Sequence, residues 1–185
     1  MSFDLQPTLS DDLVVLRPLR VEDWDALYAV ASDPLLWAGH PAHDRWQEPV
    51  FRRYFDAGIA CGGAFVITDA ATGAVIGSSR YGLDRVEPGE IEIGWSFVAR
   101  DRWGGGYNPA AKRLMIDHAL RHFERTIFLV GADNIRSRRA MENIGGVLTD
   151  REYVTEMGGV PTVHVIYTID RAGFENGPWV RTNPS

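Results

Sequence analysis

Three consecutive glycines, Gly104-Gly105-Gly106, join a strand-like segment to an amphipathic helix, and this junction narrows the folds open to the chain. The segment from Glu90 to Val98 alternates. Ile91, Ile93, Trp95 and Phe97 fall on one face, and Glu90, Glu92, Gly94 and Ser96 on the other. After the glycines, Asn108 takes the N-cap position and Pro109 the first position of a helix from Ala110 to Glu124. Glycines have no Cβ, so their amides can approach an anion closely, and the free N–H groups of the helix start point the same way. The arrangement predicts a pyrophosphate cradle. It is not a Walker A loop, because no Gly-Lys-Ser/Thr follows, and the dinucleotide spacing Gly-x-Gly-x-x-Gly also fails.

The remaining elements place that junction mid-chain. Leu13 to Arg17 predicts a first strand closed by Pro18. Val21 to Ala31 predicts a helix with Trp24, Leu27, Tyr28 and Ala31 at helical spacing, stopped by Asp33-Pro34. Residues 34–48 read as a loop rich in ligand-contacting groups: Trp37, His40, His43, Arg45 and Trp46. A second short helix spans Val50 to Phe55 and ends near Gly58. Ala64–Thr68 and Ala74–Tyr81 read as antiparallel partners. In the Ala110–Glu124 helix, Ala111, Leu114, Met115 and Ala119 form the apolar stripe, with Lys112, Arg113, Asp117 and Arg121 outside. Thr126–Val130 reads as a buried strand, and Ile135–Ile144 as a helix closed by Gly145-Gly146. Arg151–Glu156 and Val163–Ile169 predict a hairpin around Gly158-Gly159, and residues 171–185 a loosely packed tail.

Composition excludes several classes. At 185 residues, with 45% hydrophobic and 24% charged, the chain is expected to be one domain, 1–185, with its core at about 13–170. A net charge of −6 gives no global pull on nucleic acid or anionic membrane. No apolar run approaches the roughly 18 residues needed to span a bilayer. Met1 to Gln6 lacks the basic, then apolar, pattern of a signal peptide. A cytoplasmic protein with no nucleic-acid or membrane partner is expected, as monomer or homodimer. Cys61 is the only cysteine, so no intramolecular disulfide forms, and it has no identifiable His partner to make it a nucleophile. His118 and His122 stand at i, i+4 without a third ligand, and His40-x-x-His43-Asp44 suits a polar loop as well as a metal or base. No metal is expected.

A second element lies at Asn134-Ile135-Arg136-Ser137. Asn134 either caps the helix or meets a ligand, and Arg136, Arg138 and Arg139 form a cationic spot, either a solvated face or a phosphate contact. Together with Trp103–Pro109, the pattern Asn134-x-x-Ser137…Glu142-Asn143-Ile144-Gly145-Gly146 resembles the GNAT superfamily of N-acetyltransferases. Leu16-Arg17-Pro18-Leu19 before Glu22-Asp23, and Glu92-Ile93-Gly94-Trp95, are similar to the ribosomal-protein alanine N-acetyltransferase branch. The resemblance implies an α+β fold with a twisted, mostly antiparallel sheet of about six or seven strands flanked by about four helices. It implies acetyl-CoA as co-substrate and a small-molecule, antibiotic or peptide N-terminal amine as acceptor. The superfamily's Gln/Arg-x-x-Gly-x-Gly/Ala motif falls on Trp103, Gly104, Gly105, Gly106, Tyr107 and Asn108, so the amides of 104–108 are expected on the pyrophosphate. Phe97-Val98 would pair with the pantetheine arm, and Asn134 and Ser137 would approach its other side.

Transfer to an amine needs a neutral nucleophile, a donor at the thioester oxygen and a proton or donor at the leaving thiolate. Glu92 is the first candidate base and Glu90 the second. By resemblance, a backbone N–H near Phe97-Val98 is the oxyanion donor. The tyrosine that many members use as acid falls on Met141, which leaves Ser137 as the donor nearby. Trp37, Arg80 and Tyr81, with Trp46 and Tyr54, are candidates for the acceptor pocket, and core packing is the alternative for each aromatic. The missing tyrosine also permits a non-catalytic acyl-CoA-binding module of the same fold.

Overall fold

The alternating segments assemble into one eight-stranded sheet in a computed structural model that describes residues 3–157 and 159–178. In chain order the strands are β1 (Leu9–Ser10), β2 (Val14–Pro18), β3 (Ala64–Asp69), β4 (Val75–Gly82), β5 (Glu90–Val98), β6 (Arg125–Gly131), β7 (Val147–Met157) and β8 (Val160–Asp170). The helices are α1 (Trp24–Ala31), α2 (Pro34–Trp37), α3 (Glu48–Cys61), α4 (Tyr107–Ala119), α5 (Ile135–Asn143) and α6 (Arg171–Asn176). The spatial order is β1-β2-β3-β4-β5-β6-β8-β7, antiparallel except for β5 beside β6. The expected mixed architecture is present. The added strand is the two-residue β1, and the added helices α2 and α6 are short. Of the expected tail, 171–176 is α6 and 179–185 lie outside the described residues, as does Gly158 in the β7–β8 turn.

Each sheet face has its own apolar core. Ala111, Met115, Ile116 and Ala119 of α4 pack with Ile91, Ile93, Phe128 and Tyr167. On the other face, Leu27, Trp37, Phe51 and Phe55 of α1–α3 pack with Ala64, Val66 and Phe97. Each buried Leu, Ile, Phe or Met among them contributes about 1.5–3 kcal/mol, and each alanine less. The Leu16-Arg17-Pro18-Leu19…Glu22-Asp23 opening holds β2 to the start of α1. Arg17 grips buried Asp23 with two hydrogen bonds of 2.6 and 2.9 Å, and Asp23 also accepts from the Arg20 amide.

Several boundaries differ from expectation for local reasons. Gly106, at φ 82°, is the N-cap of α4, so Asn108 and Pro109 are its second and third residues. Pro109 remains in the first turn, where its missing N–H breaks no helical bond. α3 runs through Gly58 because that glycine serves packing. A Cβ there would sit 3.0 Å from Arg80 and 3.1 Å from Leu19. The helix stops at Gly62, in the left-handed conformation at φ 63°.

The largest correction concerns β5. Register runs from Arg80↔Gly94 to Ser78↔Phe97, so two β5 residues stand against one on β4. This is a β-bulge, with Trp95 at φ 52°. Ile91 and Ile93 face α4, while Trp95 and Phe97 pack on the opposite core instead of continuing the same face. β5 pairs with β6 only at Glu90↔Arg125, Ile91↔Thr126 and Glu92↔Ile127, and the strands then part. The β6-facing edge of β5 is left open from the bulge to Val98.

Beside that open edge, a Cβ at Gly77 would fall on the Phe97 carbonyl oxygen of the neighbouring strand. Gly77→Ala is expected to destabilise the fold by about 3 kcal/mol, read as a lower denaturation midpoint at unchanged slope.

Candidate active site

The glycine corner is fixed from below by side chains. Gly104 and Gly106 adopt φ 76° and 82°, which suits glycine and alternates the amide directions across the turn. Tyr107 donates to Asp69 at 3.1 Å, and Arg102 pairs with the same carboxylate at 3.4 Å. The Trp103 indole donates to the Val98 carbonyl at 2.9 Å, and the Arg136 guanidinium lies 4.0 Å from the Trp103 ring. A cavity of about 420 Å³ opens here, lined by Phe97, Val98, Trp103, Gly104, Gly106, Tyr107, Asn108 and Ser137. Trp37 lines this cavity too. Gly105 belongs to the corner but not to the cavity wall.

Where β5 and β6 part, a second cavity of about 170 Å³ holds Glu92, Ser96, Asn108, Lys112, Asn134, Ser137 and Met141 on its walls. Ser96, Asn108 and Ser137 line both cavities, so the two adjoin. Glu92 is buried and receives two hydrogen bonds from Arg85, at 2.6 and 3.1 Å. Burial raises its pKa to about 6 even though Arg85 opposes the shift. Asn134 does cap α5, accepting from the Ser137 amide at 3.2 Å, and it is also buried against the junction.

Lys112 was expected outside and instead lies 91% buried in the junction, since its exposure is 9%. It is the only lysine among 19 cationic residues. Its ammonium has no carboxylate or hydrogen-bond partner among the described residues. The contact it does make is with the Phe128 ring, 4.9 Å away. Burial lowers its pKa to about 8. A signal for this was present in the sequence: Met115, Ile116 and Ala119 follow Lys112 at three, four and seven residues, which places it on the helix's inner stripe.

A third, more open cavity of about 1050 Å³ continues beyond the junction and shares His40, Arg45, Trp95 and Asn134 with it. Arg80 and Tyr54 line this chamber. His40 borders all three cavities. Its Nδ1 accepts from the Ala42 amide at 2.9 Å, and burial lowers its pKa to about 3, so the ring is neutral with its proton on Nε2.

Other candidates fall elsewhere. Tyr81 is in the core, with its hydroxyl donating to the Met115 carbonyl at 2.6 Å, and it lines none of these cavities. A pocket role for Tyr81 is therefore corrected to a packing role. Glu90 is held by two hydrogen bonds from Arg151, at 3.0 and 3.1 Å, away from the cavity walls. His118 and His122 pack on Phe3 with ring centroids 4.9 and 5.4 Å away. Cys61 is exposed at the end of α3. Among the described residues no group of three His, Cys, Asp or Glu side chains could hold a metal ion, and no helix is long and apolar enough to cross a membrane.

An unpaired buried ammonium works against folding. The folded state lowers the Lys112 pKa from 10.5 to about 8, so the unfolded chain binds more protons between those values and stability rises with pH across that window. Lys112→Met is expected to be more stable than the parent at about pH 7 by roughly 3 kcal/mol. The gain should shrink above about pH 8 and vanish near 10.5. Denaturant melts of both proteins across this range check it.

Residues 14–147 match the acetyltransferase (GNAT) domain family. A search of curated proteins gives no match. Among solved structures, a GNAT-family acetyltransferase from Bacillus anthracis superposes with a TM-score of 0.72 at 17% identity, covering 89% of this chain and 98% of that one. A GCN5-related N-acetyltransferase from Brucella melitensis gives 0.74 at 21% identity, covering 92% and 81%. Mycobacterium smegmatis RimJ, solved in complex with CoA-disulfide, gives 0.65 at 22% identity, covering 90% and 87%. These structural likenesses carry the fold. The family match, which spans well over half of the chain, carries the class: this protein belongs to the GNAT acetyltransferase family.

Proposed function

We propose that the protein is an acetyl-CoA-dependent N-acetyltransferase that joins its two substrates where β5 and β6 part. The observation that carries this reading is the meeting of three features at one junction. An open strand edge and a glycine corner approach from one side, a wide chamber lies on the other, and a buried carboxylate stands between them.

The coenzyme fits the first side. Amides of residues 104–108 suit the pyrophosphate, and the unpaired edge at Phe97-Val98 suits an extended arm carrying amides of its own. Asn134 and Ser137 face that arm from α5. A primary amine enters from the chamber. Glu92, ionised above its pKa of about 6 and aimed by Arg85, takes the proton of the attacking amine directly or through a water. A backbone N–H near Phe97-Val98 receives the developing oxyanion. Ser137 donates toward the leaving thiolate. Lys112 supplies a positive charge in the same cavity, and its pKa of about 8 lies close to that of a thiol. Attack forms the C–N bond and collapse breaks the C–S bond; the departing sulfur takes a proton from the Lys112 ammonium and leaves as the thiol, while the amine's proton rests on Glu92 until solvent removes it.

Met141 favours a second reading. It lines the junction where many members place a phenolic acid, and a thioether donates no proton. A non-catalytic acyl-CoA-binding module of the same fold would look like this. The experiment that separates the two is thiol release from acetyl-CoA across a panel of amines. Release with any amine supports the enzyme, and tight coenzyme binding without release supports the module.

On a working acceptor, Glu92→Gln is expected to lower kcat/KM about a hundredfold, and the parent's kcat/KM to fall below about pH 6. An unchanged rate in Glu92→Gln would remove Glu92 as the base. Gly106→Val, at a φ of 82°, is expected to weaken coenzyme binding at least about tenfold by calorimetry. Unaltered affinity there would argue against the glycine corner as the pyrophosphate site.

A further inference from the structure

The chamber beyond the junction contains two arginines that form no ion pair with a carboxylate among the described residues. Arg80 is 93% buried, since its exposure is 7%, and its Nε has no hydrogen-bond partner. One of its terminal nitrogens donates to the Tyr54 carbonyl at 3.1 Å. Its guanidinium otherwise lies against the rings of Trp95 and Tyr54, at 4.8 and 5.5 Å. Arg45, half-buried, stands 4.8 Å from the same Tyr54 ring and 5.1 Å from Trp37, and its guanidinium has no hydrogen bond or ion pair among the described residues. Desolvation lowers its pKa, and neighbouring Arg80 adds to the shift.

Two guanidiniums close enough to repel, both facing one cavity, are costly unless an anion joins them. The chamber also contains Asp44, Asp133, Glu156 and Arg53. Asp133, Glu156 and Arg53 are exposed; Asp44 is close enough to Arg45 to oppose the lowering of its pKa, but forms no ion pair with it. Asp44 acts on Arg45 and Glu92 on Arg80 only through space, so no carboxylate among the described residues hydrogen-bonds either guanidinium at the inner end.

We propose that Arg45 and Arg80 form an anion subsite, and that the acceptor is a small primary amine carrying a carboxylate or phosphate. Arg guanidinium forks bind both groups with paired hydrogen bonds. The spacing suits a compact molecule. Arg80 stands opposite Gly94, two residues along β5 from Glu92, a backbone spacing of about 7 Å, and it acts electrostatically on Glu92. Arg45 lines both the junction beside Glu92 and the chamber beside Arg80, so an amine at Glu92 and an anion at the arginines fit one small molecule. This rests on the amine-acetyltransferase reading above, and its test is arranged to fail separately.

The first arm is calorimetry on the full chain saturated with CoA, titrated with glutarate and, separately, inorganic phosphate. At least one probe is expected to bind, and the stronger of the two identifies the anion. Binding should weaken at least tenfold in Arg45→Gln and in Arg80→Gln, with CoA affinity unchanged. Arg80→Lys should recover part of it, which a fold defect at this buried position would not allow. The second arm is thiol release with β-alanine and glutamate against their amides, and O-phosphoethanolamine against ethanolamine. The charged member is expected to be favoured at least tenfold in kcat/KM, and that preference should disappear in the Gln variants. Absence of binding by both probes, or equal binding in the variants, overturns the subsite. Equal turnover of neutral amines overturns it too while leaving the acetyltransferase reading intact. Anion binding that the variants abolish, with no thiol release from any amine, keeps the subsite and overturns that reading instead.

Discussion

After Glu92 and Ile127 the two central strands stop pairing, and the site depends on that parting. Backbone N–H and C=O groups that lose a strand partner must find water or a ligand. An open edge inside a sheet leaves such groups free of a strand partner from the bulge onward, and on the proposed reading the amide-bearing arm of the coenzyme meets them. The bulge at Trp95 belongs to the same device. It adds a residue on β5 and turns the following backbone, and the left-handed φ of a bulky residue needs support. Tyr54 provides it through a 2.6 Å hydrogen bond to the Trp95 carbonyl, and Arg80 and Arg85 lie over the indole at 4.8 and 4.6 Å. The residues that hold the irregular backbone thus also line the cleft: Tyr54 and Arg80 the wide chamber, Arg85 the junction.

Charge is arranged against the overall balance of the chain. A protein of net charge −6 places Arg45, Arg80, Arg85 and Lys112 around a cleft in which Glu92, held by Arg85, is the buried acid. A desolvated cation without an ion pair costs folding energy, and of these four only Arg85 has one among the described residues, with Glu92. On the proposed reading the other three give the cleft a local positive field that favours an anion. Glu92 stays usable there: burial raises its pKa to about 6, while Arg85 keeps the carboxylate ionised at neutral pH.

Much of the fold could be read from sequence because its signals are local. The strand–glycine–helix junction, the α5 cap at Asn134 and the Gly145 stop each use neighbouring residues. What escaped depends on residues far apart in the chain. The β5 alternation predicted one apolar face, but the bulge is set by pairing with β4 and inverts the second half. Gly58 resembled a helix stop, yet it exists to admit Arg80. Tyr81 resembled a pocket aromatic, but its hydroxyl is satisfied inside the core. Arg80 is a candidate from sequence, while its orphaned Nε and its proximity to Arg45 are visible only once the segment before α3 is folded over β4.

Lysine and arginine are not equivalent at the junction. An arginine at position 112 would stay charged at any working pH, whereas a desolvated amine with a pKa of about 8 can give up its proton. The chain uses arginine at its 18 other cationic positions and lysine at the one facing the site where the thiolate would form. On the proposed reading Met141, a thioether on the junction wall, offers no proton to the leaving group, so that proton comes from elsewhere on the same wall. Ser137 offers a hydrogen bond but is a poor acid. A titratable ammonium beside it, unpaired and at the edge of protonation, is the group whose chemistry matches that requirement.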